Sequence, residues 1–250
     1  PAFSGPLAGW LEKWRQGYLR QFDALITYSR RGADEFLRCG FPPGRVFVAP
    51  NAVTSRPVST PPQRKPGFEP EPVALFVGRL QPRKRVDLLL QACASLPTAL
   101  QPRLWIAGDG PVRGELESLA RQIYPRAEFL GDLRGGQLEE KFHQADVFVL
   151  PGTGGLAIQQ AMAHALPVIV AEADGTQVEL VRPENGWCVT PGNAEALART
   201  LAQAFSDPSR LRAMGSRSYA IVAEEINIEK MVSVFLEAIL STSEQMKSHR

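Results

Sequence analysis

Asp146-Val147-Phe148-Val149-Leu150-Pro151-Gly152-Thr153-Gly154-Gly155-Leu156 is the stretch on which the fold turns. Its first five residues read as a strand buried on both faces, because the apolar run is continuous and does not alternate. Pro151 through Gly155 interrupt it with small residues that let a backbone approach another group closely. Residues 156–164 read as a helix, with Ile158 its one β-branched residue, and Pro167-Val168-Ile169-Val170 opens another strand. A strand feeding a glycine loop and then a helix start is where α/β proteins hold anions. Unpaired amides and the positive end of the helix dipole meet there. A tight turn is the plainer reading of the same glycines.

Toward the N-terminus, Val73-Ala74-Leu75-Phe76-Val77-Gly78 predicts a second strand of this kind. Arg79, Arg83, Lys84 and Arg85 follow it, four cations within seven residues. Arginine grips two phosphate oxygens at once and lysine supplies a mobile point charge, and a diphosphate held without a metal needs both. A solvated loop, or a basic run of the nuclear-localisation type, is the alternative. Gln160 lies one helical turn beyond Leu156, placed either to point back at the loop mouth or to face solvent. Gly108, Gly110 and Gly114 follow the strand ending at Ala107 and leave a dinucleotide fingerprint open, hence an NAD(P)-dependent oxidoreductase. That pattern demands an acidic residue about 20 positions on, at the end of the next strand. Glu128 precedes Phe129-Leu130, so Asp132 is its candidate. His143 and His164 have no partner at metal or triad spacing and no D-x-D occurs, so no metal ligands are assigned.

Around these loops, strand and helix patterns alternate from Val73 onward, which predicts a parallel doubly wound sheet with ligands beyond the C-terminal strand ends. Asn193 caps a helix carrying Leu197, Leu201 and Phe205, and Ser206-Asp207-Pro208 ends it. The first fifth differs: 25–28, a helix at 29–38 and 46–48 make one β-α-β piece, too little for a core of its own. The division expected is a partial α/β piece at 1–53, a proline-rich linker at 54–72, the main α/β domain at 73–225, and a C-terminal helix at 226–250. Trp10, Leu11, Trp14 and Tyr18, with Lys13, Arg15 and Arg20, read as a core-facing helix or as one lying on an acidic membrane surface.

The 250 residues carry a net charge of +2, which argues against a general nucleic-acid binder. Three widely spaced cysteines imply neither a disulfide framework nor a metal cluster. No apolar run approaches the ~18 residues of a membrane span. No leader is visible, and a cytoplasmic setting, with or without membrane association, is expected.

Taken in order, these pieces resemble the donor-binding half of a retaining glycosyltransferase of family 4, with the GT-B fold. Val77-Gly78-Arg79-Leu80-Gln81-Pro82-Arg83-Lys84 is similar to the family's V-G-R-L-x-P-x-K segment. Ile106-Ala107-Gly108-Asp109-Gly110-Pro111 is similar to its I-x-G-x-G-P turn, and Phe129-Leu130-Gly131 to its F-L-G strand. Ala161-Met162-Ala163 and Pro167-Val168-Ile169 resemble A-M-A-x-G-x-P-V-I, with Ala165 where glycine is usual. Glu184-Asn185-Gly186 and the segment from Pro191 to Leu197 resemble the closing part. The implied fold is α/β, a Rossmann-like doubly wound parallel sheet preceded by a partial second α/β domain. The resemblance implies that 1–53 is a remnant of an acceptor-side domain, that 73–225 is the nucleotide-sugar donor-binding domain, and that the helix at 226–250 packs back on the first part.

The resemblance implies that Arg79 and Lys84, beside Gly78, hold the diphosphate of a nucleotide sugar and carry the catalysis. It implies further that Thr153 and the amides of Gly154, Gly155 and Leu156 bind phosphate or sugar, and that Gly131, Asp132 and Leu133 meet the base. Gln160 stands where the family has a glutamate for the ribose, and an amide cannot make a carboxylate's charge-assisted pair. The family's other glutamate, eight positions earlier, falls at Gly152. The activity implied is metal-independent transfer, with retention, to a hydroxyl of a glycan or lipid-linked acceptor. No cofactor is implied beyond the nucleotide-diphosphate sugar as substrate. The alternative is a non-catalytic nucleotide-sugar-binding subunit or remnant, completed by another N-terminal domain or chain.

Overall fold

The structure is a computed structural model that describes residues 8–58, 60–172 and 177–248. Two compact units make it up, one formed by residues up to 52 together with those from 227 onward, the other by 53–226.

The first unit begins with α1 (Ala8–Leu19), β1 (Leu25–Thr27), α2 (Arg30–Arg38) and β2 (Val46–Val48). Ser29 starts α2 by accepting from the Gly32 amide at 3.0 Å, the side-chain cap expected of serine at that position. β1 and β2 pair in parallel, which makes this the β-α-β piece read from the sequence. On α1, Trp14 stacks on Tyr18 with ring centroids 5.7 Å apart, and both are exposed. The side chains at Trp10, Leu11 and Lys13 lie outside the described residues.

The second unit runs β3 (Val73–Val77), α3 (Val86–Ala94), β4 (Arg103–Ala107), α4 (Arg113–Ile123), β5 (Ala127–Gly131), α5 (Gly135–Gln144) and β6 (Val147–Leu150). It continues with α6 (Leu156–Ala163), β7 (Val168–Ala171), α7 (Gln177–Leu180), β8 (Gly186–Val189), α8 (Ala194–Ser206) and α9 (Pro208–Glu224). Its six strands are all parallel, in the order β5-β4-β3-β6-β7-β8. That order reverses between β3 and β6, the topological switch point where open α/β sheets leave a crevice. Every residue of β6 and β7 is buried, as unalternating apolar strands between two helical layers must be. Ser206-Asp207-Pro208 does more than end α8. The Asp207 side chain accepts from the Arg210 amide at 2.9 Å, and Pro208 opens α9 with its φ already helical.

Residues 54–72, expected as a linker, group with the second unit and are fastened to it. The Arg64 guanidinium donates to the carbonyls of Phe142 (2.9 Å), His143 (2.7 Å) and His164 (2.8 Å), and also reaches that of Ala145. It thus ties off carbonyls at the C-terminal ends of α5 and α6, where the helix dipole favours a cation. Burial, and then repulsion from Arg212, lower the Arg64 pKa to about 10, with Asp146 opposing the fall. Arg212 donates to Lys65 O at 2.8 Å and to Asp146 Oδ1 at 2.6 Å, while Asp146 Oδ2 accepts from the Val73 amide at 2.8 Å. Proline keeps this segment out of helix and strand, and its polar side chains bind it down.

The chain ends in α10 (Ile228–Ser248), which contacts β1 and β2 within the first unit. No helix among the described residues is long and apolar enough to cross a membrane.

Candidate active site

Four loops leave the carboxyl ends of β3, β4, β5 and β6, and backbone bonds join β3's loop to β4's, β4's to β5's, and β3's to β6's. The Gly78 amide donates to Ala107 O at 3.0 Å and the Leu80 amide to Asp109 O at 2.8 Å. The Gly108 amide donates to Gly131 O at 2.6 Å. A Cβ built on Gly108 or Gly110 would overlap the carbonyl of Gly78 or Leu80. Those glycines are therefore needed for loop-on-loop contact whether or not a nucleotide lies above them. This accounts for the glycine spacing that left a dinucleotide fingerprint open.

Residues 77–79, 107–111 and 132–134 line an open crevice of about 730 Å³ over these loops. Arg79 is exposed on its rim and makes no ion pair among the described residues. Asp132 pairs with Arg134 at 2.6 Å, and Asp109 lies 3.5 Å from Arg113. Both carboxylates are exposed, so these pairs orient side chains more than they stabilise the fold.

The β3 and β6 loops meet at the switch point. The Thr153 amide donates to Arg83 O at 3.0 Å, and Arg83 Nη1 donates to Thr153 Oγ1 at 2.9 Å. Lys84 is half-buried and donates from Nζ to Thr153 O at 2.6 Å. Its pKa is lowered from the ordinary 10.5, first by burial and then by the neighbouring Arg83 charge. Gly152 is packed so tightly that a Cβ would overlap the Arg83 carbonyl and lie 2.5 Å from the Lys84 carbonyl carbon. Gly155 then caps α6, whose first amides are the donors a helix start leaves unpaired. The Gly154 carbonyl accepts from Gln177 Nε2 at 2.6 Å.

The residues expected at the site thus fall into two adjoining groups. Gly78, Arg79, Asp132 and Leu133 line the crevice, and Gly131 supports it from below through Gly108. Lys84, Thr153, Gly154, Gly155 and Leu156 form the neighbouring switch-point loop. Lys84 bridges them: its Cε lies 3.9 Å from where a Gly78 Cβ would stand, and its Nζ 2.5 Å from a Gly154 Cβ. Arg79 does not reach the 152–156 bend; the arginine that does is Arg83. Gln160 is half-buried in α6 and does not line the crevice. Its neighbour Gln159 is the buried glutamine, accepting from the Val53 amide at 3.1 Å. Sequence reasoning missed Asp109 as a crevice residue and Gln177 as a loop clamp. The first lay within a turn read only for its glycines, and no spacing signals the second. Among the described residues, no group of three or more His, Cys, Asp or Glu is placed to hold a metal.

A six-stranded parallel sheet whose switch point carries glycine loops and a lysine defines a Rossmann-like domain of the GT-B glycosyltransferase kind. The chain belongs to the family described as glycosyl transferases group 1, whose model matches residues 60–221. An uncharacterised glycosyltransferase of Methanocaldococcus jannaschii is 34% identical over 143 residues, covering 55% of this chain and 36% of that protein. The lipopolysaccharide core biosynthesis glycosyltransferase LpsE of Rhizobium meliloti is 26% identical over 235 residues, 91% of this chain and 67% of that one. The crystal structure of Anabaena HepE in complex with UDP superposes with a TM-score of 0.71 at 21% identity, covering 88% of this chain and 64% of that one. The chain thus spans only part of the length of the relatives it matches.

Proposed function

We propose that this chain carries the donor-binding half of a retaining, metal-independent glycosyltransferase of family 4. The observation that carries the reading is Lys84, held between the Gly78 and Gly154 turns at the edge of the crevice. In this reading the base and ribose lie over 107–111 and 132–134. The diphosphate lies along Arg79 and Lys84, and the sugar lies toward the start of α6. Cation and helix-start amides are in place before reaction, where the departing diphosphate gathers charge. The bond from the anomeric carbon to the phosphate oxygen breaks as the acceptor oxygen bonds to that carbon on the same face. The acceptor's proton passes to the leaving phosphate, so no carboxylate nucleophile is required and no cofactor is invoked.

The acceptor is a glycan or a lipid-linked hydroxyl, a reading supported by the lipopolysaccharide relative. An acceptor-side domain, in the same polypeptide or another, completes the cleft. The exposed pair Trp14 and Tyr18 supports a peripheral membrane contact for a lipid-linked acceptor.

Calorimetric titration with UDP and GDP tests the donor site. One of them is expected to bind, and Arg79→Ala is expected to weaken it by about 2 kcal/mol, roughly thirtyfold, as loss of a charge-assisted pair does. Binding of NADP with no response to either diphosphate would remove the proposal. A non-catalytic nucleotide-sugar-binding subunit is the second reading, favoured by Gly152, where no glutamate side chain fits. Failure to release nucleoside diphosphate from any donor, with a complete acceptor domain added, would select it.

A further inference from the structure

Gln177 is the first residue of α7, fully buried, and belongs to neither group of expected site residues. Its Nε2 donates to the Gly154 carbonyl at 2.6 Å. Its Oε1 is also buried and has no hydrogen-bond partner among the described residues. The orientation of the amide is fixed, because only the NH₂ end can donate to a carbonyl. A buried acceptor left unpaired works against folding, and an apolar side chain of the same size would avoid that cost. What such a leucine or methionine could not do is hold the Gly154 carbonyl.

Holding that carbonyl has a directional consequence. In a trans peptide the C=O of one residue and the N–H of the next point in opposite directions. Gln177 lies in the interior, so the Gly154 carbonyl is drawn inward and the Gly155 N–H is turned outward. Gly155 is half-exposed and caps α6, so this amide adds to the donors already gathered at the helix start. Gly154 has φ +149, a conformation open chiefly to glycine, so its flanking peptides hold their orientation through outside contacts. Two such contacts are present: Lys84 on the carbonyl of Thr153 and Gln177 on that of Gly154.

Resting on the donor-site reading above, we infer that Gln177 is a positioning residue that aims the Gly155 amide at the diphosphate of the bound nucleotide. The test compares the full-length wild-type chain with Gln177→Leu and Gln177→Met by titration with UDP and uridine, and with GDP and guanosine. Both variants are expected to fold, since loss of the unpaired Oε1 offsets loss of the bond to the Gly154 carbonyl. They are expected to bind the diphosphate about tenfold more weakly and the nucleoside unchanged. Diphosphate affinity equal to wild type in both variants would overturn the inference. So would an equal loss for nucleoside and diphosphate, since that marks Gln177 as structural only. A wild-type chain that binds neither diphosphate refutes the donor-site reading instead, a result separate from any difference between variants.

Discussion

Gly152 stands where the resemblance to family 4 implies a glutamate. A side chain has nowhere to go there, because its first carbon would meet the Arg83–Lys84 backbone. Gly152→Ala is therefore expected to destabilise the second unit by about 3 kcal/mol, at the upper end of overpacking costs. Gly152→Glu is expected to lose nucleotide binding rather than restore a sugar contact, and paired denaturation and titration curves check both. Ala165 shows the opposite relation. It sits at φ +54, which explains why glycine is usual there, and here an alanine bears the left-handed conformation. Cations were easy to find in the sequence but hard to assign individually. Arg79, Arg83, Lys84 and Arg85 look alike in a row, yet Arg83 reaches Thr153, Arg85 pairs with Asp87 at 3.0 Å, and Arg79 faces the crevice. Which way each points depends on the Pro82–Lys84 turn and the left-handed Arg85 after it, which composition does not reveal.

Among the elements, β3, β6 and β7 were legible from apolar runs, because parallel strands buried on both faces leave such a pattern. α9 was missed as a separate helix, since Asp207-Pro208 signals a helix start as well as a stop. The strapping role of 54–72 was invisible, because it is made by Arg64 and Arg212 on carbonyls that no sequence pattern marks. That strap has a titratable neighbour. His164 follows α6, stacks on Phe142 with centroids 5.1 Å apart and meets His143 edge-on at 4.8 Å. Burial, and then His143, lower its pKa from 6.5 to about 4. Between those two values the unfolded chain binds a proton that the folded chain refuses. This contribution to stability is complete above pH 6.5 and is lost as pH falls to about 4. His164→Phe is expected to flatten the acid limb of a stability–pH curve in that window, by an amount reduced because the ring is partly solvated. An unchanged slope would place the acid sensitivity elsewhere.

For the molecule as a whole, the crevice proposed as the donor site lies within the unit formed by 53–226. A nucleoside diphosphate at 100 times its dissociation constant is expected to stabilise that unit by about 2.7 kcal/mol. Hydrogen exchange should then slow in the amides of β3, β4, β5 and β6 and in the first turn of α6. Protection centred instead on β1 and β2 would mean that the ligand binds elsewhere. The doubly wound architecture was legible because strand order follows from the alternation of elements and the handedness of their crossovers. In the first unit the strands are three residues each, and α10, within the segment 226–250 expected to pack back on this part, meets both of them.

The packing of Arg83 against Gly152 also bears on motion. With an amide of one turn bonded to a carbonyl of the other and no room for a side chain between them, the cationic turn and the glycine turn form a single seam. A displacement of either drags its neighbour along. Arrival and departure of a ligand at this edge of the sheet should therefore register as one relaxation shared by 82–85 and 152–155, with no separate opening of either stretch.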